Sequence, residues 1–142
     1  MTPEQVRLVR DSWAQVEPVA STAAAAFYAR LFELDPALRP LFKRDIGEQG
    51  VMLMGALRTV VARLDDLDAL VPMVRALGVR HAASGVRDDH YDVVGESLLW
   101  TLAKGLRGAF TDEVAAAWAA AYGLLAGAMQ DAARLAELPQ AA

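Results

Sequence analysis

The apolar residues of this chain recur at a helical period, and this feature constrains the fold more than any other. Four apolar residues near the N-terminus lie three or four positions apart and so share one helix face: Val6, Val9, Trp13 and Val16. Long stretches without Gly or Pro follow this period rather than the alternation of a half-buried strand. Alanine and leucine are abundant, and β-branched and aromatic residues other than valine are few. The sequence therefore predicts an all-α protein.

Capping signals and breaks divide the chain into helices. Thr2, Pro3 and Gln5 form a strong helix start, because threonine can cap, proline suits the first position and glutamine can close a capping box. We predict helices over about residues 3–16, 19–34, 35–42, 48–64, 70–84, 90–106 and 111–135. We expect residues 139–142 to be frayed. No repeat or linker is evident, so residues 1–142 are predicted to form one domain.

Three further expectations concern the ends of the later helices. Pro72 is expected in the first turn of its helix, where a missing N–H is tolerated. Gly85 is expected to end that helix in a left-handed conformation. Asp88 or Asp89 is expected to cap the helix that follows.

Composition excludes several classes of function. The 142 residues are 55% hydrophobic and 23% charged, proportions that exclude a disordered chain and permit a sizeable core. The net charge is −4 and no Lys/Arg cluster stands out, so we expect no nucleic-acid partner. No segment approaches about 18 consecutive apolar residues, so we expect no membrane span. The absence of cysteine excludes thiol catalysis and zinc thiolate sites. With no signal-peptide pattern at the N-terminus, the expected location is the cytoplasm.

The chain contains two histidines, and each can be weighed as a metal ligand. His81 lies near a helix end, shares a face with Leu77 four residues earlier, and has a nearby glycine that would permit a close approach. On the residues alone, a core histidine is favoured over a ligand, and the ligand alternative stays open. His90 stands at a helix start beside Asp88 and Asp89, so a solvated or helix-start role is expected.

Several stretches of the chain stand in a characteristic order and spacing: residues 27–32 (FYARLF), 36 (P), 40–42 (PLF), 76–81 (ALGVRH), 94–99 (VGESLL), 109–111 (AFT), 117–118 (AW) and 121–123 (AYG). In these stretches the chain resembles the globin family, from about Pro3 to Met129. The likeness is greatest to single-domain bacterial globins and the haem domain of flavohaemoglobins, with a further likeness to neuroglobin. The resemblance implies a three-over-three helical sandwich that holds haem b, iron protoporphyrin IX, between the helices predicted at 48–64 and 70–84.

The resemblance also implies roles for particular residues. His81 is expected to be the proximal iron ligand, with its other ring nitrogen donating to a carbonyl near Leu77. Five residues are expected to contact the haem, and Leu53 among them would cover the iron: Phe42, Leu53, Leu77, Val86 and Tyr91. Phe42 would pack on the macrocycle where the third helix ends, a role compatible with a plain core anchor.

On the opposite, distal side of the haem, the resemblance places Tyr28 and Gln49 toward the bound gas. A tyrosine hydroxyl and a glutamine amide are both hydrogen-bond donors. Bound O2 carries partial negative charge, so these donors would stabilise it more than the less polar CO. An amide is a poor iron ligand, so a pentacoordinate haem is expected. The alternatives are a core tyrosine with a satisfied hydroxyl and a solvated glutamine at a helix start.

The expected function is reversible binding of O2, and also of NO and CO. Flavohaemoglobins continue into flavin and nicotinamide domains, whereas this chain stops, so NO dioxygenation would need a separate reductase. Tyr91 matches a proximal tyrosine of those proteins, but Ala133 stands where they have a glutamate. Oxygen-activating chemistry is therefore an alternative to gas binding. A haem-based gas sensor and a haem-free helical protein are further alternatives.

Overall fold

Six α-helices make up most of residues 1–137, the part of the chain that this computed structural model describes. They are α1 (Pro3–Val16), α2 (Ala20–Leu34), α3 (Ile46–Ala62), α4 (Leu67–Ala83), α5 (Asp88–Leu106) and α6 (Asp112–Glu137). Short 3-10 segments occupy Glu17–Val19, Pro36–Leu41 and Arg107–Ala109. The predicted all-α class is confirmed, and the segment predicted at 35–42 is a 3-10 helix rather than an α-helix. The fraying expected for residues 139–142 concerns positions outside the described residues.

The helices form two layers of three. Helices α1, α3 and α4 lie over α2, α5 and α6, with α1 packed on α5 and α6, α3 on α2, and α4 on α6. Val9, Leu31 and Ala117 are fully buried between the layers. In contrast, α3 and α4 have no extended packing against one another. The predicted three-over-three sandwich is therefore confirmed. Helices α3 and α4 are consecutive in the chain, but each is held in place by other helices. None of the described helices is long and apolar enough to cross a membrane.

Two buried side-chain hydrogen bonds connect helices, one between the two layers and one within a layer. The Trp118 indole donates to Ser12 Oγ at 2.8 Å and so joins α6 to α1. The Ser97 hydroxyl donates to the Phe27 carbonyl at 2.8 Å and joins α5 to α2. A buried hydroxyl or indole N–H without a partner would be costly, so these pairs fix the register of the helices that carry them.

The C-terminus of α3 is capped from another helix, which the sequence did not predict. The Arg10 guanidinium of α1 donates to the Val61 carbonyl at 3.1 Å and to the Ala62 carbonyl at 2.9 Å. It also pairs with the Asp65 carboxylate at 2.9 Å. The last carbonyls of a helix lack intrahelical partners, so this arginine both satisfies them and fixes the end of α3.

Two predicted helix ends are confirmed. Thr2 caps α1, and its side chain and that of Gln5 form the reciprocal capping box. Gly85 follows α4 with φ +100°, the left-handed conformation that glycine adopts without a Cβ clash.

Two other predictions about helix ends are wrong. Pro72 is the sixth residue of α4, because Asp66 caps that helix earlier than expected by accepting from the Ala69 N–H. The N-cap of α5 is Arg87 rather than Asp88 or Asp89.

His90 is buried rather than solvated. Its exposed fraction is 6%, and its Nδ1 accepts a hydrogen bond from the Arg87 backbone N–H at 3.0 Å. The imidazole therefore takes the part that Glu or Gln plays in a capping box, satisfying a backbone N–H at the start of α5. The two acidic neighbours that suggested a solvated site are exposed, while the imidazole itself turns inward.

Candidate functional site

The candidate site is the cleft between α3 and α4. Leu77 and His81 lie four residues apart on one face of α4, and both are half-buried. Gln49 and Leu53 have the same spacing on α3 and are likewise half-buried. Helix α3 packs on α2 and α4 packs on α6, so the two helices are held by different neighbours, and we call the space between them the cleft.

A glycine fixes the position of α4. A Cβ at Gly78 would lie 2.3 Å from the Met129 carbonyl oxygen and 2.6 Å from Met129 Cα in α6. The two helix backbones therefore touch at a separation that no other residue permits. His81 lies one turn later on the same helix, so the depth at which its imidazole sits depends on this contact. The sequence suggested a close approach by some group at this point but did not identify the group.

The environment of His81 favours a neutral imidazole. Burial and, to a lesser extent, the neighbouring Arg80 guanidinium lower the pKa of His81 below its usual value, while a hydrogen bond with the Leu77 backbone raises it in part. This backbone contact is the one expected from the sequence. An imidazole that is neutral and oriented through one ring nitrogen can offer the other nitrogen to a metal.

The connection after α4 places Val86 beside the histidine. The Val86 N–H donates to the His81 carbonyl at 3.0 Å, which the left-handed Gly85 makes geometrically feasible. A Cβ on Gly85 would lie 3.2 Å from Leu41 Cδ2, so this connection also packs on the 3-10 segment before Phe42. Val86 is half-buried. Of the residues predicted to contact haem, Leu77, His81 and Val86 thus lie close together.

Tyr28 and Phe42 meet in an aromatic cluster on the other side of the cleft. The Tyr28 ring is 5.0 Å from Phe27, 6.0 Å from Phe32 and 5.4 Å from Phe42, measured between centroids. Only 4% of Tyr28 is exposed. Burial raises the pKa of Tyr28 to about 12. The hydroxyl therefore keeps its proton at neutral pH and can act as a donor.

The Tyr28 hydroxyl has a main-chain partner. Tyr28 Oη donates to the backbone carbonyl of Gln49 at 3.4 Å, rather than interacting with the Gln49 side chain. This distance is at the long end for an O–H donor, so the bond is weak. The structure therefore brings Tyr28 and Gln49 together, but through the main chain of α3.

Tyr91 lies at the proximal end of the site, in a setting that the sequence did not reveal. The Tyr122 hydroxyl donates to the Tyr91 carbonyl at 2.6 Å. The Tyr122 ring also packs closely on Gly95, because a Cβ on that glycine would lie only 2.7 Å from Tyr122 Cε2. Tyr91, Val86 and Ala133 line an open pocket of about 560 Å³. Burial raises the pKa of Tyr91. The small side chain of Ala133 leaves that pocket open.

These residues fit a haem group. The cleft offers one neutral imidazole on an otherwise apolar helix face, and several of its apolar side chains are only half-buried although they lie between helices. Haem requires an imidazole ligand and apolar surroundings, and α4 offers an imidazole on the same face as apolar side chains. The aromatic cluster around Phe42 would close one edge of such a slot.

Comparison with known proteins agrees with this geometry. The family model described as Globin matches residues 25–129. The flavohemoprotein of Bordetella parapertussis is 35% identical over 129 residues, which cover 89% of this chain and 32% of that protein. The chain therefore spans about a third of the length of this relative. Neuroglobin of Danio rerio is 33% identical over 136 residues, covering 86% of each chain.

A solved structure extends the likeness to three dimensions. The bacterial globin of Campylobacter jejuni superimposes with a TM-score of 0.83 at 25% identity, covering 95% of this chain and 98% of that one. The family model covers well over half of the sequence. Helix order and sequence likeness thus agree, and the chain belongs to the globin family of haem-binding proteins.

Proposed function

We propose that this chain reversibly binds a diatomic gas at a haem b held between α3 and α4, with His81 as the proximal ligand. The observation that carries the proposal is the position of His81, which shares one face of α4 with Leu77 and is half-buried there. The bound haem would supply an iron position for O2, NO or CO. The chain has no cysteine, so thioether attachment of the haem to this chain is excluded.

The proximal residues would hold and orient the group. The Leu77 backbone would orient the His81 ring, and the contact between Gly78 and Met129 would set the depth of α4. Val86, tied to the His81 carbonyl, would limit sideways movement of the macrocycle. Tyr91 is buried nearby and completes the apolar surroundings.

The distal residues would select the gas. Tyr28 keeps its proton and stands in a dry aromatic cluster, so its hydroxyl can donate to a gas that carries partial negative charge. Bound O2 meets that description better than CO, and so the pocket would favour O2. Gln49 would be a second donor, or would orient Tyr28 through the main-chain contact. Since an amide is a poor iron ligand, we expect five-coordinate iron in the reduced, gas-free protein.

NO dioxygenation with an external reductase is the second candidate. The sequence likeness to flavohemoproteins favours it. Ala133 weighs against it, because this alanine stands where the flavohaemoglobin resemblance places a glutamate. If this activity is present, rapid re-reduction by a separate reductase would be required.

Absorption spectroscopy of the purified protein, supplied with haem, tests the gas-binding proposal. We expect a five-coordinate spectrum for the reduced protein and a shift on addition of CO. A bis-histidine, six-coordinate reduced spectrum would contradict the assignment of Gln49 to the distal side. A protein that stays colourless with excess haem would contradict the proposal as a whole.

A further inference from the structure

We propose that the contact between Ala24 of α2 and Gly50 of α3 is a spacer that determines which acceptor the Tyr28 hydroxyl uses, and so tunes discrimination between O2 and CO. This inference rests on the proposed gas-binding function and extends it. Neither Ala24 nor Gly50 lies among the residues expected to touch the haem or the gas. They would act as positioning residues, through the main chain of α3.

The Tyr28 ring itself is immobilised. Phe27 and Phe42 meet it edge-on, with interplanar angles of 77° and 75°, and Phe32 stacks at 29°. Packing on three sides prevents the ring from swinging between partners. What remains free is rotation of the O–H bond about the C–O axis, which redirects the proton without moving the ring.

A hydroxyl carries one proton, so its acceptors compete for it. In the structure that proton is directed to the Gln49 carbonyl, with Oη and O separated by 3.4 Å. Such a long bond is weak and can be exchanged for a better acceptor in the pocket. A partly charged gas would compete well, whereas a weakly polar gas would leave the proton on the carbonyl. The distance from Tyr28 Oη to the Gln49 carbonyl oxygen thus determines how strongly the tyrosine discriminates between the two gases.

The spacing of α2 and α3 at this point is set by two small residues. A Cβ on Gly50 would lie 3.0 Å from the Ala24 Cβ, tighter than nine in ten real Cβ contacts. Ala24 lies one turn before Tyr28 on α2, and Gly50 directly follows Gln49 on α3. The contact is therefore adjacent to both ends of the Tyr28 hydrogen bond. Any change in the spacing of α2 and α3 at this contact therefore changes the distance between Tyr28 Oη and the Gln49 carbonyl oxygen.

The substitution Gly50→Ala would force the neighbours apart by a few tenths of an ångström. Because the hydrogen bond is already long, that shift would break it and release the proton toward the gas. The matched variant Ala24→Gly/Gly50→Ala exchanges the two side chains, so one methyl group again stands at the contact. It should restore the original spacing. Gly55→Ala is the control, since a Cβ there meets nothing within 4 Å.

Stopped-flow dissociation of O2 and CO from the haem-loaded variants tests this proposal. We expect Gly50→Ala to slow O2 dissociation by about two- to tenfold, the factor that one ordinary hydrogen bond supplies, with little change for CO. The exchanged variant and Gly55→Ala should match the wild type. In a Tyr28→Phe background, Gly50→Ala should have no effect on O2 dissociation, because the proton that it redirects is absent.

A second measurement needs no haem. Ultraviolet resonance Raman spectra of the haem-free protein, taken as a difference from Tyr28→Phe, report whether the Tyr28 hydroxyl donates. We expect donation in the wild type and in the exchanged variant, and its loss in Gly50→Ala.

The outcomes separate the two proposals. If the haem-loaded Gly50→Ala variant behaves like Gly55→Ala, or if its effect persists without the Tyr28 hydroxyl, the spacer proposal is wrong and gas binding stands. If the wild type takes up no haem, the gas-binding proposal fails and the tuning of gas discrimination fails with it. In that case the haem-free spectra show whether the contact between Ala24 and Gly50 controls hydrogen bonding by the Tyr28 hydroxyl.

Discussion

The two walls of the proposed haem site are held in different ways. On the proximal side, α4 rests on α6 through direct backbone contact at Gly78 and Met129. On the distal side, α2 and α3 are positioned largely by side chains, including the aromatic cluster around Tyr28 and the Ser97 hydrogen bond to the Phe27 carbonyl. The proximal wall therefore has no room to adjust, whereas the distal wall can shift by small amounts.

This difference matches the two tasks proposed for the cleft. A ligand to haem iron must stay at one depth, and a backbone contact enforces that depth without depending on side-chain rotamers. A group that discriminates between gases must respond to differences in polarity, and a rotating hydroxyl on an immobilised ring does so. Substitutions on the proximal side should therefore damage the fold, and those on the distal side should change ligand kinetics.

The largest expected effect on the fold comes from Gly78→Ala. The added Cβ would overlap the Met129 backbone, which cannot move aside as a flexible side chain would. We expect a loss of about 2–3 kcal/mol in the free energy of unfolding, together with weaker haem retention, as typical for overpacking at a rigid site. Urea unfolding measures the loss. Gly127→Ala in α6 is the control, because its Cβ meets nothing within 4 Å, and it should not destabilise the protein.

On the distal side, Tyr28→Phe removes one hydroxyl and keeps the ring. A buried hydrogen bond to a partly charged acceptor contributes about 1.5–3 kcal/mol, so O2 should dissociate roughly ten- to a hundredfold faster. CO dissociation should change far less, which stopped-flow measurements can establish. Equal effects on both gases would mean that the tyrosine controls space rather than donating a proton.

Gln49→Leu should act in the same direction as Tyr28→Phe, but less strongly. The double variant should show less than the sum of the two effects, because both groups serve one ligand. The carbonyl that accepts from Tyr28 belongs to the main chain and survives this substitution.

The smallest of these effects is expected for Ser97→Ala. It removes the bond from the Ser97 hydroxyl to the Phe27 carbonyl, at the residue next to Tyr28. We expect a loss of about 1 kcal/mol in the free energy of unfolding, the usual contribution of one such bond. Ser21→Ala, at an exposed position of α2, should change stability by less than about 0.5 kcal/mol. Equal losses for the two variants would show that the bond does not secure the distal wall.

Much of the fold was predictable because its signals are local. Helical periodicity, the Thr2 capping box and the left-handed Gly85 all depend on residues a few positions apart. For His90 the helix-start role is confirmed and the solvated role, which two acidic neighbours had suggested, is wrong. The contact that decides its orientation is with the Arg87 backbone, and local charge does not reveal it.

The contacts among the predicted site residues could not be predicted from the sequence. The spacing of Leu77 and His81 placed both on one face of α4, and the family resemblance supplied the expected ligand role. The Tyr28 bond to the Gln49 carbonyl depends on how α2 and α3 cross. The Gly78 contact depends in the same way on α6, far away in sequence. Such details arise from tertiary packing, which a single sequence does not encode in any short pattern.

The central claim is that His81 holds the haem, and spectra of two histidine variants test it most directly. His81→Ala should lose the wild-type reduced spectrum, while His90→Gln should keep it, because glutamine can still accept the Arg87 N–H at the start of α5. Both variants should be supplied with equal haem and compared with and without CO. A His81→Ala protein that retains the wild-type reduced spectrum, with a His90→Gln protein that loses it, would contradict the account.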